Sequence, residues 1–298
     1  MSLLDKTLVR LLPAVPKPVV QLFSSRYIAG PTLADAVTTV RGLNGEGKRA
    51  TIDVLGEESA REEDAQAITQ AYCDVFDAIA LESLDSNASV KPTALGLDLS
   101  YELCRANLES ILRAADGNFV RIDMEDSSTT TDTLRLYREL REDGFDNVGV
   151  VLQARLRRTV DDIRSLADLS PNVRICKGIY IEPAAVAFTD YDAIRASFVR
   201  ALDELLQRDA YVAIATHDEW LIGQALAHVR GHDAYEFQML LGVRERRASE
   251  LVADGHALSV YVPYGKQWYE YSLRRLQENP AMAGTIARSS VTRVFGRT

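Results

Sequence analysis

Short apolar runs alternate with longer amphipathic stretches along most of this chain. The runs are rich in β-branched residues, and the stretches between them repeat their apolar positions with the 3.6-residue period of a helix. Regular alternation of strand and helix predicts parallel strands, because each helix returns the chain to the same edge of the sheet. Eight runs predict strands, and they span Ala50 to Gly56, Ala88 to Leu95, Phe119 to Met124, Val148 to Ala154, Val173 to Gly178, Val212 to Thr216, Tyr235 to Leu240 and Leu258 to Val262.

This pattern predicts an α/β fold with the architecture of a (β/α)8 TIM barrel, because eight strand and helix units are the number that closes such a barrel. A helical stretch precedes the first strand and ends at a glycine-containing turn. We therefore predict an N-terminal helical cap over residues 1–47 and a barrel domain that carries the site over residues 48–298. The apolar stripe of the cap comprises Leu33, Ala36, Val37, Val40 and Leu43.

Composition and charge limit the classes of partner, site and compartment that the protein can have. A chain of 298 residues, 47% of them hydrophobic, can bury a large core and suits either two ordinary domains or one barrel. Its net charge of -9 argues against nucleic acid as a partner. Cys73, Cys104 and Cys176 are odd in number and lack metal or redox spacing, which argues against a disulfide framework and a metal site and for a reducing compartment.

The N-terminus predicts no export. The stretch from Met1 to Val20 mixes apolar residues with prolines and charges, so it is too interrupted for a signal peptide or a membrane-spanning helix. We therefore expect a cytoplasmic protein whose contact with a membrane, if any, is peripheral, at the inner face.

Polar side chains collect at the ends of the predicted strands. Barrel enzymes build their sites at the carboxyl ends of strands. A lone charge inside an apolar strand costs roughly several kcal/mol to bury unless it is paired, so each such residue is either a satisfied core ion or part of a site. Their number favours a site, and they are Glu57, Lys91, Asp123, Glu125, Gln153, Arg174, Lys177, Thr216, His217, Asp218 and Gln238.

The last predicted strand leads into a polar helix. The stretch from Ser259 to Asn279 predicts a strand that breaks at Pro263 and Gly265 and continues as a helix. Residues three and four apart are neighbours on a helix, so one broad face carries Tyr271, Arg274, Arg275 and Glu278. This face is either a solvated surface, with Arg274 and Glu278 as an ordinary ion pair, or a clamp for an anionic substrate.

Short motifs follow one another along the chain: Asp53-Val-Leu-Gly-Glu57, the lysine Lys91, Val120-Arg-Ile-Asp-Met-Glu125, Val173-Arg-Ile-Cys-Lys-Gly178, Ala215-Thr-His217, Glu236-Phe-Gln-Met-Leu240 and the stretch from Tyr261 to Asn279. In this order they resemble the proline dehydrogenases of the compact, monofunctional bacterial type, which are related to the proline dehydrogenase domain of proline utilization A. The resemblance implies a distorted (β/α)8 barrel that binds FAD non-covalently. It also implies oxidation of L-proline to Δ1-pyrroline-5-carboxylate, the first step of proline catabolism to glutamate, with electrons passed to a membrane quinone.

No Gly-x-Gly-x-x-Gly loop follows a strand, so a flavin nucleotide must be bound by other residues. Arg174 and Lys177 stand at a strand end beside Gly178, and cations are common partners of a pyrophosphate. Thr216 and Asp218 are placed to cap the following helix. The resemblance implies that Arg174 reaches the N5 side of the flavin and that the FAD is lined by Met124, Gln153, Arg174, Lys177, Gly178, Ile179, Thr216, His217, Gln238 and Glu278.

Proline oxidation also makes demands on the substrate site. Hydride loss from C5 needs electron density from the ring nitrogen, so the amine must be neutral, and the carboxylate needs opposing charge. The resemblance implies that Asp123 and Arg174 are the catalytic residues. It implies that the substrate carboxylate is held by Lys91, Arg274 and Arg275. It also implies that Tyr261 and Leu240 pack on the proline ring and that Glu57 acts as a gate.

Other interpretations stay open at this point. Lys177 also suits a Schiff-base lysine in an aldolase-type barrel enzyme, and His217 suits a histidine that caps a helix in the core. A catalytically silent, membrane-associated binding protein is the alternative without chemistry. The chain departs from the family pattern at Cys176 and Ile179, where valine and alanine are expected, and residues 187–191 lack the basic side chains expected at the adenosine end.

Overall fold

The computed structural model describes residues 26–56, 58–208 and 210–268. Within these ranges eight parallel strands pair in sequence order, and the last pairs with the first to close a barrel, which confirms the predicted fold. The strands are β1 Arg49–Val54, β2 Ser86–Val90, β3 Val120–Ile122, β4 Val148–Gln153, β5 Asn172–Cys176, β6 Tyr211–Ala215, β7 Tyr235–Leu240 and β8 Leu258–Tyr264. The helices are α1 Leu33–Gly45, α2 Glu62–Leu81, α3 Tyr101–Ala114, α4 Thr130–Glu142, α5 Thr159–Ser165, α6 Tyr191–Leu206, α7 Glu219–His228 and α8 Glu245–Ala253.

Helix α1 lies against β8 and β1, where the barrel closes. Thr32 begins it with a capping box, in which the Thr32 hydroxyl accepts the backbone N–H of Asp35 and the Asp35 carboxylate accepts that of Thr32. Its buried side chains, Ala36, Val37 and Val40, belong to the stripe predicted from the sequence. The division between a cap and a barrel at residue 47 stays a prediction, and residues 1–25 lie outside the described ranges.

The apolar core lies between the strands and the surrounding helices. Alternate strand residues such as Ile52, Val150 and Ile214 are fully buried in it. The side chains in the opposite phase point into the barrel, where most barrels hold branched apolar residues. Here that interior is polar instead, and its members include Asp53, Ser89, Arg121, Asp123, Arg174, Glu236, Gln238, Ser259 and Tyr261.

The second strand is shorter than the sequence predicts. It ends at Val90, although the apolar run continues to Leu95. Lys91 precedes Pro92, and a residue before proline is restricted in its backbone angles. The chain then turns back through hydrogen bonds from the N–H of Leu95 to the carbonyls of Lys91 and Pro92, both at 3.1 Å. Lys91 therefore stands at the carboxyl end of the barrel and not within the ladder.

The predicted break at Pro263 is wrong. Strand β8 continues through Pro263 to Tyr264, and Pro263 stands opposite Asp53 in the register with β1. A proline removes one N–H donor from the ladder but keeps its carbonyl, which here accepts the N–H of Ala29 at 2.9 Å. The predicted break at Gly265 is correct, because this residue has a φ of 137° and follows the end of the strand. The predicted helix from Gln267 onward lies almost entirely outside the described residues.

Two general features can be stated for the described ranges. No helix in them is long and apolar enough to cross a membrane. In the same ranges, no three His, Cys, Asp or Glu side chains are grouped so that they could hold a metal ion.

Candidate active site

A cavity of about 740 Å³ opens at the carboxyl ends of the strands. Its volume lies within the roughly 300–1,000 Å³ that is typical of ligand and cofactor sites. Glu57, Arg274, Arg275 and Glu278 lie outside the described residues. Every other residue that the sequence predicts for the site lines this cavity, namely Lys91, Asp123, Met124, Gln153, Arg174, Lys177, Gly178, Ile179, Thr216, His217, Gln238, Leu240 and Tyr261.

Asp123 is the centre of the cavity floor. One of its carboxylate oxygens accepts the Ser89 hydroxyl and Nη1 of Arg174, both at 2.6 Å, and the other accepts the Tyr261 hydroxyl at 3.0 Å. Burial raises the pKa of Tyr261 well above its usual range, so the phenol keeps its proton and donates it to the carboxylate. Three donors from three different strands therefore hold Asp123 in one orientation.

Arg174 reaches across the barrel interior, lines the cavity and is only 6% exposed. Its Nε donates to Oε1 of Gln238, and its Nη1 donates to Asp123 and, at 3.1 Å, to the Ser89 hydroxyl. Nη2 is buried and has no hydrogen-bond partner among the described residues. Because Arg174 also lines the cavity, this unpartnered donor belongs to a side chain that a bound ligand would contact.

Lys91 forms a buried ion pair with Asp53. Its Nζ donates to Asp53 Oδ1 at 2.6 Å, and the Asp53 side chain has no exposed surface. Burial lowers the pKa of Lys91, but the carboxylates of Asp53, Asp123 and Glu125 outweigh it, so the net pKa is raised. Lys91 therefore stays a cation. An ammonium group has three donors, and one of them is used within the described part of the chain, which leaves two for a ligand carboxylate.

A second charged cluster borders the other end of the cavity. Asp218 accepts hydrogen bonds from Arg195 at 2.7 and 2.9 Å, from the Tyr191 hydroxyl at 2.6 Å and from Lys177 at 3.2 Å. The Arg195 guanidinium, with Tyr191 and Lys177, holds the pKa of Asp218 well below its usual range. The Arg195 guanidinium also lies over the rings of Tyr191 and Trp220, 4.4 and 5.3 Å from their centres.

Three consecutive residues that follow β6, and that the sequence predicts for the site, are held by hydrogen bonds. Asp218 accepts the backbone N–H of Trp220 and begins α7, which confirms it as a helix cap. Thr216 does not cap the helix; its hydroxyl accepts the backbone N–H of Asp218 at 3.2 Å. Nε2 of His217 accepts the backbone N–H of Leu240 at 2.9 Å, so this nitrogen carries a lone pair and the ring is fixed to β7.

Close backbone approach is built into the loop after β5. Gly178 has a φ of 91°, and a Cβ at this position would lie 2.5 Å from Gln153 Oε1. Gln153 itself is held by a hydrogen bond of 2.6 Å from its Nε2 to the Glu125 carbonyl. Just before this loop, burial raises the pKa of Cys176 to about 11, so its sulfur is a thiol at neutral pH.

With this geometry established, comparison with known proteins decides the family. A family model described as "Proline dehydrogenase" matches residues 36–288. The chain belongs to the proline dehydrogenase family. It is 41% identical over 274 residues to "Proline dehydrogenase 1" of Bacillus subtilis (strain 168), which covers 90% of each chain. It is also 34% identical over 275 residues to "Proline dehydrogenase" of Deinococcus radiodurans, over 89% of each chain.

A solved structure supports the fold. The barrel superposes on proline utilization A (PutA) from Bdellovibrio bacteriovorus inactivated by N-propargylglycine, with a TM-score of 0.83 and 23% sequence identity. The match covers 92% of this chain and 36% of that one, so the chain corresponds to about a third of the larger protein. At this identity the likeness establishes the architecture alone.

Membership of the proline dehydrogenase family rules out both alternatives weighed from the sequence. An aldolase-type lyase is inconsistent with a proline dehydrogenase family model that matches residues 36–288. A catalytically silent binding protein is inconsistent with relatives that are proline dehydrogenases over nearly their whole length.

Several residues in and around this cavity have no role predicted from the sequence. Asp53 and Ser89 stand on strands, and a polar residue two positions from a predicted site residue, as Ser89 is from Lys91, is a usable signal. Tyr191 and Arg195 come from α6, and nothing in their local pattern separates them from a solvated helix face. Likewise, no local pattern in the sequence marks Trp220, at the start of α7, as a site residue.

The buried ion pair of Lys91 and Asp53 predicts that removing one partner strongly lowers the free energy of unfolding. Lys91→Met leaves the Asp53 carboxylate buried without its cation, so the free energy of unfolding should fall by about 3–5 kcal/mol. The double variant Lys91→Met/Asp53→Asn removes that charge and should recover most of the loss. Urea unfolding of the three proteins measures both effects.

Arg61→Met provides the control, because Arg61, just before α2, forms an exposed ion pair with Asp64. We expect no change in the unfolding midpoint for this variant. A loss in Lys91→Met no larger than that in Arg61→Met would show that the Lys91 and Asp53 pair is solvated and not a buried part of the site.

Proposed function

We propose that this protein oxidises L-proline to Δ1-pyrroline-5-carboxylate with a non-covalently bound FAD and passes the electrons to a membrane quinone. This is the first step of proline catabolism to glutamate. The family and its named relatives support proline as the substrate. The observation that carries the cofactor assignment is the buried Nη2 of Arg174, which lacks a partner among the described residues at a cavity wall.

The residues around the cavity fit a flavin nucleotide. Arg174 offers a hydrogen-bond donor to an electron-rich ring edge, and Gly178 lets the backbone approach a flat ligand beside Gln153. The N-terminus of α7 is already occupied by the Asp218 carboxylate. Lys177 lines the cavity and donates one hydrogen bond to Asp218, so its ammonium group has further donors for a phosphate. When bound, the flavin supplies the hydride acceptor. The high pKa of the Cys176 thiol argues against a thioether bond to the cofactor.

The cations of the site suit the substrate. The two remaining donors of Lys91, together with Arg274 and Arg275, would hold the proline carboxylate. Excess positive charge also disfavours the ammonium form of the substrate, which must be a neutral amine when the hydride leaves C5. Tyr261 and Leu240 line the cavity where they would pack on the proline ring. Asp123 would act by holding Arg174 and Tyr261 in place.

We also propose that the protein works on the cytoplasmic side and contacts the membrane peripherally to reach its quinone. The free cysteines Cys73, Cys104 and Cys176 are in keeping with a reducing compartment. Exposed apolar side chains are consistent with transient contact with an apolar acceptor, and they include Ile179, which lines the cavity, and Ile181, two residues later.

The proposed function is tested by the absorbance of the purified protein. We expect flavin bands that bleach when L-proline is added without oxygen and return when a soluble quinone analogue is added. Acid precipitation should leave the yellow colour in the supernatant. A colourless protein, or flavin bands that proline does not bleach, would contradict the proposal, and colour in the pellet would contradict non-covalent binding alone.

The proposed clamp predicts a specific effect of Arg275→Lys. Lysine keeps the charge but loses the planar fork, so kcat/KM for proline should fall about 10- to 150-fold through a raised KM, as expected for the loss of one charge-assisted hydrogen bond. The inhibition constant of tetrahydrofuran-2-carboxylate, which has the carboxylate but not the amine, should rise in parallel. Steady-state kinetics measures both.

Arg246→Lys is the matched control, because Arg246 lies on α8 with a side chain that is 94% exposed. It should leave both constants unchanged. An Arg275→Lys variant that behaves like this control would mean that the polar helix after β8 is a solvated surface and not the substrate clamp.

A further inference from the structure

Glu236 is a buried carboxylate that the reaction described above does not use. It lies on β7, is 4% exposed and does not line the cavity. One of its oxygens accepts the Ser259 hydroxyl at 2.7 Å, and the other accepts Nε2 of Gln238 at 2.5 Å. Both donors are neutral, although buried carboxylates are usually bonded to cations. The buried guanidinium of Arg121 is close enough to interact electrostatically with Glu236 but donates its hydrogen bonds elsewhere, so both hydrogen bonds to Glu236 come from neutral groups.

The Glu236 carboxylate determines the orientation of the Gln238 side-chain amide. A glutamine amide has an acceptor oxygen on one side and a donor nitrogen on the other, and the two ends have nearly the same shape. Both Glu236 oxygens accept hydrogen bonds here, and one of them takes the nitrogen end of Gln238. The oxygen end is then presented to Nε of Arg174, which can only donate. A flipped amide would place donor against donor at Arg174 and oxygen against oxygen at Glu236.

The guanidinium of Arg174 is fixed by this arrangement. Gln238 holds Nε on one side of the planar group, and Asp123 holds Nη1 on another. With two of its three nitrogens held, the plane of the group is set. Nη2 remains without a partner among the described residues, as the proposed flavin contact requires.

We propose that Glu236 is a positioning residue for proline oxidation, which orients the Gln238 amide so that Arg174 is held with Nη2 directed to the cofactor. Glu236 touches neither the cavity nor the reacting atoms, so it acts through Gln238. The inference rests on the proposed function of Arg174 at the flavin. What the mechanism requires of residue 236 is a hydrogen-bond acceptor, and its charge is secondary.

Three variants separate orientation from bulk stability. Glu236→Leu removes the acceptor and frees the Gln238 amide to rotate. Glu236→Gln keeps an oxygen for Gln238 and offers its nitrogen to the Ser259 hydroxyl, so it should restore the orientation without the charge. Ser259→Ala is the matched control, because it removes the other hydrogen bond of the same carboxylate and leaves the contact with Gln238 in place.

The first measurement is the rate of flavin reduction by proline, in stopped flow, with each variant fully loaded with FAD. In Glu236→Leu we expect a fall of about 10- to 100-fold, by analogy with the loss of a hydrogen-bond partner that orients a metal ligand. Glu236→Gln should restore most of the rate, and Ser259→Ala should leave it unchanged. In a Gln238→Met background, Glu236→Leu should cause no further fall, because the group through which it acts is gone.

The second measurement needs no flavin. The ¹⁵N side-chain amide signal of Gln238, assigned by its absence in Gln238→Met, should show slow hydrogen exchange in the wild-type apoprotein. Exchange should become fast in Glu236→Leu and stay slow in Ser259→Ala. If Glu236→Leu does not fold, the wild-type signal and the Glu236→Gln rate still decide the matter. A wild-type protein that carries no flavin would defeat the proposed function and leave this measurement valid.

Each of the following results would overturn the proposal. Glu236→Leu could reduce its flavin at the wild-type rate, or Glu236→Gln could be as slow as Glu236→Leu, which would assign the effect to charge. The losses in Glu236→Leu and Gln238→Met could multiply in the double variant. The Gln238 amide could exchange rapidly in the wild-type protein.

Discussion

The ion pair between Arg174 and Asp123 is the interaction on which the rest of the site depends. Its atoms lie 2.6 Å apart, and the two side chains are only 7% and 14% exposed. Charges at this depth are tolerated only when they are paired and their remaining hydrogen-bonding groups are satisfied. Asp123 therefore draws donors from β2, β5 and β8, and a one-residue slip of any of these strands would turn the donor outward. The requirements of the pair thus fix the register of the barrel around the cavity.

Much of this arrangement is predictable from the sequence. The strand positions follow from the apolar runs, because the outward faces of the strands bury Ile52, Val150 and similar residues against the helices. Polar residues in the opposite phase, such as Lys91 and Asp123, point to the interior for the same geometric reason. The motifs in family order identify which of these line one cavity. Their roles in binding and catalysis stay predictions.

The remainder could not be predicted because it depends on contacts between distant segments. The apolar run after Val90 continues past the real strand end, and only the turn that follows shows that Lys91 leaves the ladder. Strand propensity predicts that Pro263 ends the strand. The strand continues nevertheless, and the Pro263 carbonyl accepts a hydrogen bond from the segment before α1. The pairing of Lys91 with Asp53 and that of Gln238 with Arg174 join residues 38 and 64 positions apart, so no local pattern encodes them.

In the proposed function, the barrel interior holds Arg174 so that one of its donors is kept for the cofactor. This role is tested by the rate of flavin reduction in Arg174→Ala, compared with the FAD content of the purified variant. We expect a protein that still binds FAD through its many other contacts but is reduced by proline about 10²- to 10³-fold more slowly, because the donor that stabilises the arriving charge is missing. A fully loaded Arg174→Ala protein that is reduced at the wild-type rate would contradict it.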